Sequence, residues 1–184
     1  MDLDWIKFGT GMVYMVERRY EAAEATFREL LLTNPDYFNA YIQLGLIHKI
    51  EGKKDDAKVF FEKATGFDPE NVTANFQLGL LLMESRNYAA AEKAFVKVLS
   101  ANLLHGGALL NLGLVHGRMG DLSRATELIG HAYEQSSQFK DGFARLGWLR
   151  TESKDWSGAL VLAKRDLEAS RLTPVWRINL ALLY

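Results

Sequence analysis

Gln43, Gln77 and Asn111 recur at one constant interval, and beyond Arg145 the same interval reaches Asn179. A carboxamide donates and accepts at once, so a row of them suits pairing with the backbone of an extended peptide of any sequence, or else satisfies turns of its own helices. Phe8, Ile42, Phe76 and Leu110 precede the amide positions, and Met12, Leu46, Leu80, Leu114 and Trp148 follow them by three residues. Turned to solvent, such an apolar strip marks an interaction site; turned inward, it completes a core. Nothing reactive competes with this binding chemistry. His48, His105, His116 and His131 lack the paired spacing of a helical metal site. Ser137 and Lys140 spell Ser-x-x-Lys without companion motifs, and His105-Gly106-Gly107 has no nucleophile elbow to serve. Gly9-Thr10-Gly11 lacks the third glycine and the strand of a dinucleotide site. Asn71-Val72-Thr73 is a glycosylation sequon that matters only in a secreted eukaryotic setting. The chain therefore reads as non-catalytic, with no metal and no cofactor.

The elements that position these residues follow from the same interval. Gly11, Gly45, Gly79, Gly113 and Gly147, then Ala181, form one column, and twelve residues after each glycine stands Ala23, Ala57, Ala91, Ala125 or Ala159. Phe27, Phe61, Phe95, Ile129 and Ala163 form a third column, and Pro35 and Pro69 close two of the units. Within residues 38–71, Tyr41, Leu44, Ile47 and His48 have helical spacing, the tract Glu51-Gly52-Lys53-Lys54 interrupts it, and Ala57, Phe60, Phe61 and Ala64 resume it. Each unit is thus helix, tight turn, helix, with Asp68-Pro69-Glu70-Asn71 stopping one helix and capping the next. A glycine inside a helix costs about 1 kcal/mol relative to alanine. Its recurrence predicts that the missing side chain lets paired helices approach closely.

Leu-Gly followed by Tyr, Ala, Phe and Pro, with a period of about 34 residues, resembles the tetratricopeptide repeat. The resemblance runs from Asp4 to the end of the chain. The units fall at 4–37, 38–71, 72–105, 106–139 and 140–173, with a partial unit at 174–184. The third has Leu103 in place of proline, and the fifth has Ala163 in place of the aromatic. The resemblance implies an all-α, right-handed solenoid of antiparallel helix pairs, about five units and a final single helix, whose first helices line a concave groove. Helical geometry then selects a stripe for that groove. It takes Asn39, Gln43, Leu46, Lys49 and Ile50 in the second unit, Thr73, Gln77, Leu80, Met83 and Glu84 in the third, Gly107, Asn111, Leu114 and Arg118 in the fourth, and Asp141, Arg145, Trp148 and Glu152 in the fifth. The family's clamp on a terminal carboxylate needs a basic residue beside the amides, where Phe8, Met12 and Ile42 stand, so that mode is expected to be absent.

The remaining composition narrows the partners. A net charge of -1 gives no reason to expect nucleic acid, and no apolar run approaches membrane-spanning length. The chain has no cysteine, hence no disulfide or thiolate site. From Lys140 onward eight basic residues face five acidic ones, against fourteen and eighteen before it, a mild basic bias at one end. The first helix carries Trp5, Ile6, Phe8, Met12, Val13 and Val16 and the last Val175, Trp176, Ile178, Leu180 and Leu183, so the ends are expected to meet further repeats or other copies. The expected function is a protein-interaction scaffold binding a peptide segment or helix. The alternative is the repeat arm of a larger glycosyltransferase or response regulator. A cytoplasmic setting is expected, and a periplasmic one fits if a signal has been removed.

Overall fold

A fully buried alanine and, four residues on, a fully buried large side chain (Phe27, Phe61, Phe95 or Ile129) recur along the second helix of every described pair, and they show why the period is structural. The computed structural model describes residues 3–135 together with Gly147, Thr151, Gly158 and Val161, and all the regular structure among these residues is helical. The helices are α1 (Leu3–Val16), α2 (Tyr20–Thr33), α3 (Phe38–Ile50), α4 (Lys54–Phe67), α5 (Val72–Glu84), α6 (Tyr88–Ala101), α7 (Gly106–Met119) and α8 (Leu122–Gln135). Tyr20, Lys54, Tyr88 and Leu122 open the second helices at the interval of the glycine column, and Phe38, Val72 and Gly106 open first helices on the same beat. Helix α2 buries Ala23, Phe27 and Leu30; α4 buries Ala57, Phe61 and Ala64; α6 buries Ala91, Phe95 and Val98. The i, i+4, i+7 spacing puts each trio on one face.

The chain divides into two compact units, residues 1–81 and 82–184, with the boundary inside α5. In the first unit α1 pairs with α2, α2 with α3 and α3 with α4. One core cluster joins Ala23, Phe27 and Leu30 to Ala40, Leu44 and Ile47, and a second joins Ile42 to Ala57, Phe61, Ala64, Ala74 and Leu81. Helix α3 contributes to both clusters, which is why it is buried on most sides while α2 and α4 are amphipathic. In the second unit α7 packs against α6 and α8, and a cluster of Leu114, Ala125 and Ile129 is flanked by Met83, Leu110, Leu122 and Tyr133. Burying one such phenylalanine or leucine stabilises the fold by roughly 1.5–3 kcal/mol.

The turn inside each pair uses one backbone solution throughout. Arg18, Gly52, Arg86 and Gly120 all have positive φ, at 58°, 78°, 61° and 92°. The next residue donates its N–H back to the last turn, Arg19 to Tyr14, Lys53 to His48, Asn87 to Leu82 and Asp121 to His116, all within 2.8–3.0 Å. This is the left-handed helix ending that satisfies otherwise orphaned carbonyls. Between pairs, Asn71 accepts from the Ala74 N–H at 3.0 Å and holds Asp68 at 3.0 Å, so the expected stop-and-cap role of this loop is realised. Where the third unit lacks proline, Asn102 ends α6 and its side chain accepts from the Leu104 N–H at 3.2 Å, a turn that substitutes for the missing ring.

Candidate functional site

The glycine column works as the spacing predicts, and the residues of the third column fill the space it leaves. A Cβ built on Gly45 would lie 2.7 Å from the Phe61 ring, and one on Gly11 would collide with Phe27. In α7 the obstacle to Gly113 is Ile129 at 2.7 Å, with the Ala125 carbonyl oxygen at 3.1 Å. In the first two pairs the aromatic lies directly on the glycine, and on Gly113 an isoleucine takes its place. This contact sets how closely α1 meets α2, α3 meets α4 and α7 meets α8, and hence the rotation of those first helices, whose outward stripe is the candidate binding face.

In residues 1–81 that face is carried by α1, α3 and α5. Asn39, Gln43, Leu46, Lys49, Gln77 and Leu80 are half-buried on it, beside the exposed Ile50 and Thr73. The Lys49 ammonium donates to Gln77 Oε1 at 2.6 Å, tying α3 to α5. The side chains of Asn39 and Gln43 make no hydrogen bond to another described residue. In residues 82–184, Asn111 donates to the Gly107 carbonyl at 2.7 Å, one turn back on its own helix. The amide row thus splits into uncommitted Gln43, lysine-bound Gln77 and locally satisfied Asn111.

The apolar strip is corrected by the structure. Ile42 is 4 % exposed and belongs to the α3–α4–α5 core, and Leu114 is 8 % exposed against Ala125 and Ile129. Successive helical residues point about 100° apart, so Ile42 cannot share the outlook of Gln43. Phe8 is half-buried with its ring 5.7 Å from Phe27 and 5.3 Å from Tyr37, and Met12 packs on the same cluster. Leu46 and Leu110 flank core clusters, while Phe76 and Leu80 are half-buried. Asp141, Arg145, Trp148, Glu152 and Asn179 lie outside the described residues, as does the C-terminal helix expected from Val175 onward. On α1, Trp5 is 73 % and Val16 82 % exposed, so the apolar opening helix presents a bare face.

His48, His105 and His116 serve structure. His48 packs 5.0 Å from the Phe60 ring, with Nε2 3.3 Å from Glu24 and Nδ1 3.5 Å from Asp56. His116 repeats the arrangement, 3.5 Å from Glu92 and 3.7 Å from Asp121. His105 caps α7, its Nδ1 accepting from Ala108 at 3.0 Å. Burial works against the charge of Glu24, but hydrogen bonds from Arg28 and His48 outweigh it and hold the carboxyl below its ordinary range. The described residues contain no cluster of ligands for a metal ion, and none of their helices is long and apolar enough to cross a membrane. The sequence places Lys49 on the stripe but does not reveal its bond to Gln77. The available signal was a lysine late in one first helix and an amide midway along the next, a little less than a full period apart.

Helix pairs on a fixed beat, with large side chains seated on the glycine column, define a helical-repeat scaffold, all-α and solenoid in class. The chain belongs to the tetratricopeptide repeat family, whose models match residues 38–71 and 76–141. Its fold is similar to that of MamA (20% identity, TM-score 0.80, covering 91% of this chain and 92% of that one). It is also similar to YrrB, described as a TPR protein with an unusual peptide-binding site (18% identity, TM-score 0.82, 95% and 90% covered). A third likeness is to PilW, a type IV pilus biogenesis factor (21% identity, TM-score 0.73, 94% and 80% covered). No curated protein matches the chain.

Proposed function

We propose that this chain is a non-catalytic adaptor that holds a peptide segment or a helix of a partner protein on the stripe of α1, α3 and α5 within residues 1–81. The observation that carries the reading is Gln43, half-buried beside Leu46 with its amide uncommitted. Such a group can bond a peptide backbone without first breaking a bond of its own. The peptide-binding site named for YrrB adds support. A cytoplasmic or a periplasmic setting fits. The test is selection of a phage-displayed random dodecapeptide library on the immobilised protein, followed by binding of the enriched peptides to Leu80→Asp. The expected result is loss of binding with helical circular dichroism unchanged. Peptides that bind Leu80→Asp as well as the parent overturn the proposal.

A further inference from the structure

We infer that the ligand of this face carries an acidic side chain within an otherwise apolar segment, and that Lys49, positioned by Gln77, receives it. The inference rests on the proposed groove and adds the chemistry of what fills it. Among the described lysines and arginines, Lys7, Lys49 and Lys58 are the partly buried ones. Lys7 is neutralised by Glu29 at 2.9 Å and Lys58 faces Glu62 at 3.6 Å. Among the described residues Lys49 has only the neutral Gln77 oxygen, at 2.6 Å.

A partly desolvated ammonium without a carboxylate is an unfavourable arrangement that an anion relieves. Gln77 occupies one of its three donors, leaving two for a ligand carboxylate. The bond to Gln77 also holds the four-carbon stem in one direction, so less conformational freedom is lost when the ligand arrives. Leu46 and Leu80 lie on the same stripe, and Ile50 next to Lys49 is exposed. The acid is therefore flanked by apolar contacts. Charge complementarity sets the register of the segment, while the leucines and the Gln43 amide act on any sequence of suitable shape.

Selection of the same random dodecapeptide library separates the two readings. Parent-selected peptides are expected to align on one Asp or Glu between apolar residues. Lys49→Met is expected to weaken them about tenfold, as loss of one charge-assisted hydrogen bond implies, and to leave their acid-to-amide analogues unaffected. Lys49→Glu is expected to select peptides with Lys or Arg at the aligned position, a reversal that a merely structural role does not produce. Enriched peptides that lose binding on Leu80→Asp but show no aligned acid overturn this inference and leave the groove standing. Peptides indifferent to Leu80→Asp overturn both.

Discussion

The ring of Phe61 lies on Gly45, with its Cε1 2.7 Å from where a Cβ would stand. Gly45→Ala gains about 1 kcal/mol of helix propensity and loses more, about 1–3 kcal/mol, to overpacking against a fully buried ring. Net destabilisation is expected in urea melts. Adding Phe61→Leu to Gly45→Ala is expected to destabilise less than the sum of the two single changes, because the smaller side chain makes room for the methyl group.

Arg18 and Arg86 occupy the left-handed position that Gly52 and Gly120 fill in the other pairs. A residue with a Cβ is strained there by about 1–2 kcal/mol, part of which glycine's freedom in the unfolded chain cancels. Arg86→Gly is therefore expected to raise stability by about 0.5–1 kcal/mol. Gly52→Ala is expected to lower it by a similar amount, and both are read from the same melts.

Leu80 and Leu114 stand in one column of the sequence but should respond differently to charge. Leu114→Asp places a carboxylate in the cluster of Ala125 and Ile129 and is expected to destabilise by several kcal/mol, with loss of helical signal on mild heating. Leu80→Asp, half-buried on the stripe, is expected to retain the fold and lose the ligand.

Glu24 links stability to acid. Its folded carboxyl titrates below the ordinary glutamate value of 4.5, against the pull of burial, because Arg28 and His48 bond the ionised form. Its contribution is therefore fully present above that value and is lost as pH falls through the folded range. Thermal melts of Glu24→Gln are expected to show a deficit at neutral pH that closes in acid. A deficit independent of pH would contradict the linkage.

The bare face of α1 is expected to draw copies together. Trp5 and Val16 are largely exposed, with Val13 and Ile6 exposed nearby, and a contiguous apolar patch promotes association. Light scattering over a dilution series is expected to show mass rising with concentration. Trp5→Glu with Val16→Glu is expected to hold the chain at the mass of a monomer.

The period was legible in the residues because it is a local rule repeated. A glycine at a fixed interval, with an alanine and an aromatic at constant offsets, leaves one helix-pair solution, and the helices opening at Tyr20, Lys54, Tyr88 and Leu122 keep that beat. The positive-φ column was half legible, since Gly52 and Gly120 announce it while Arg18 and Arg86 conceal it. Sequence could also say which residues share a stripe, since about 100° per residue is a property of any α-helix. It could not say how deep that stripe lies. Whether Ile42 meets solvent or Phe61's cluster depends on how closely α3 sits between its neighbours, and only the packed structure decides that. The same holds for Lys49, whose lack of a carboxylate and bond to Gln77 depend on which side chains from a separate helix come within reach.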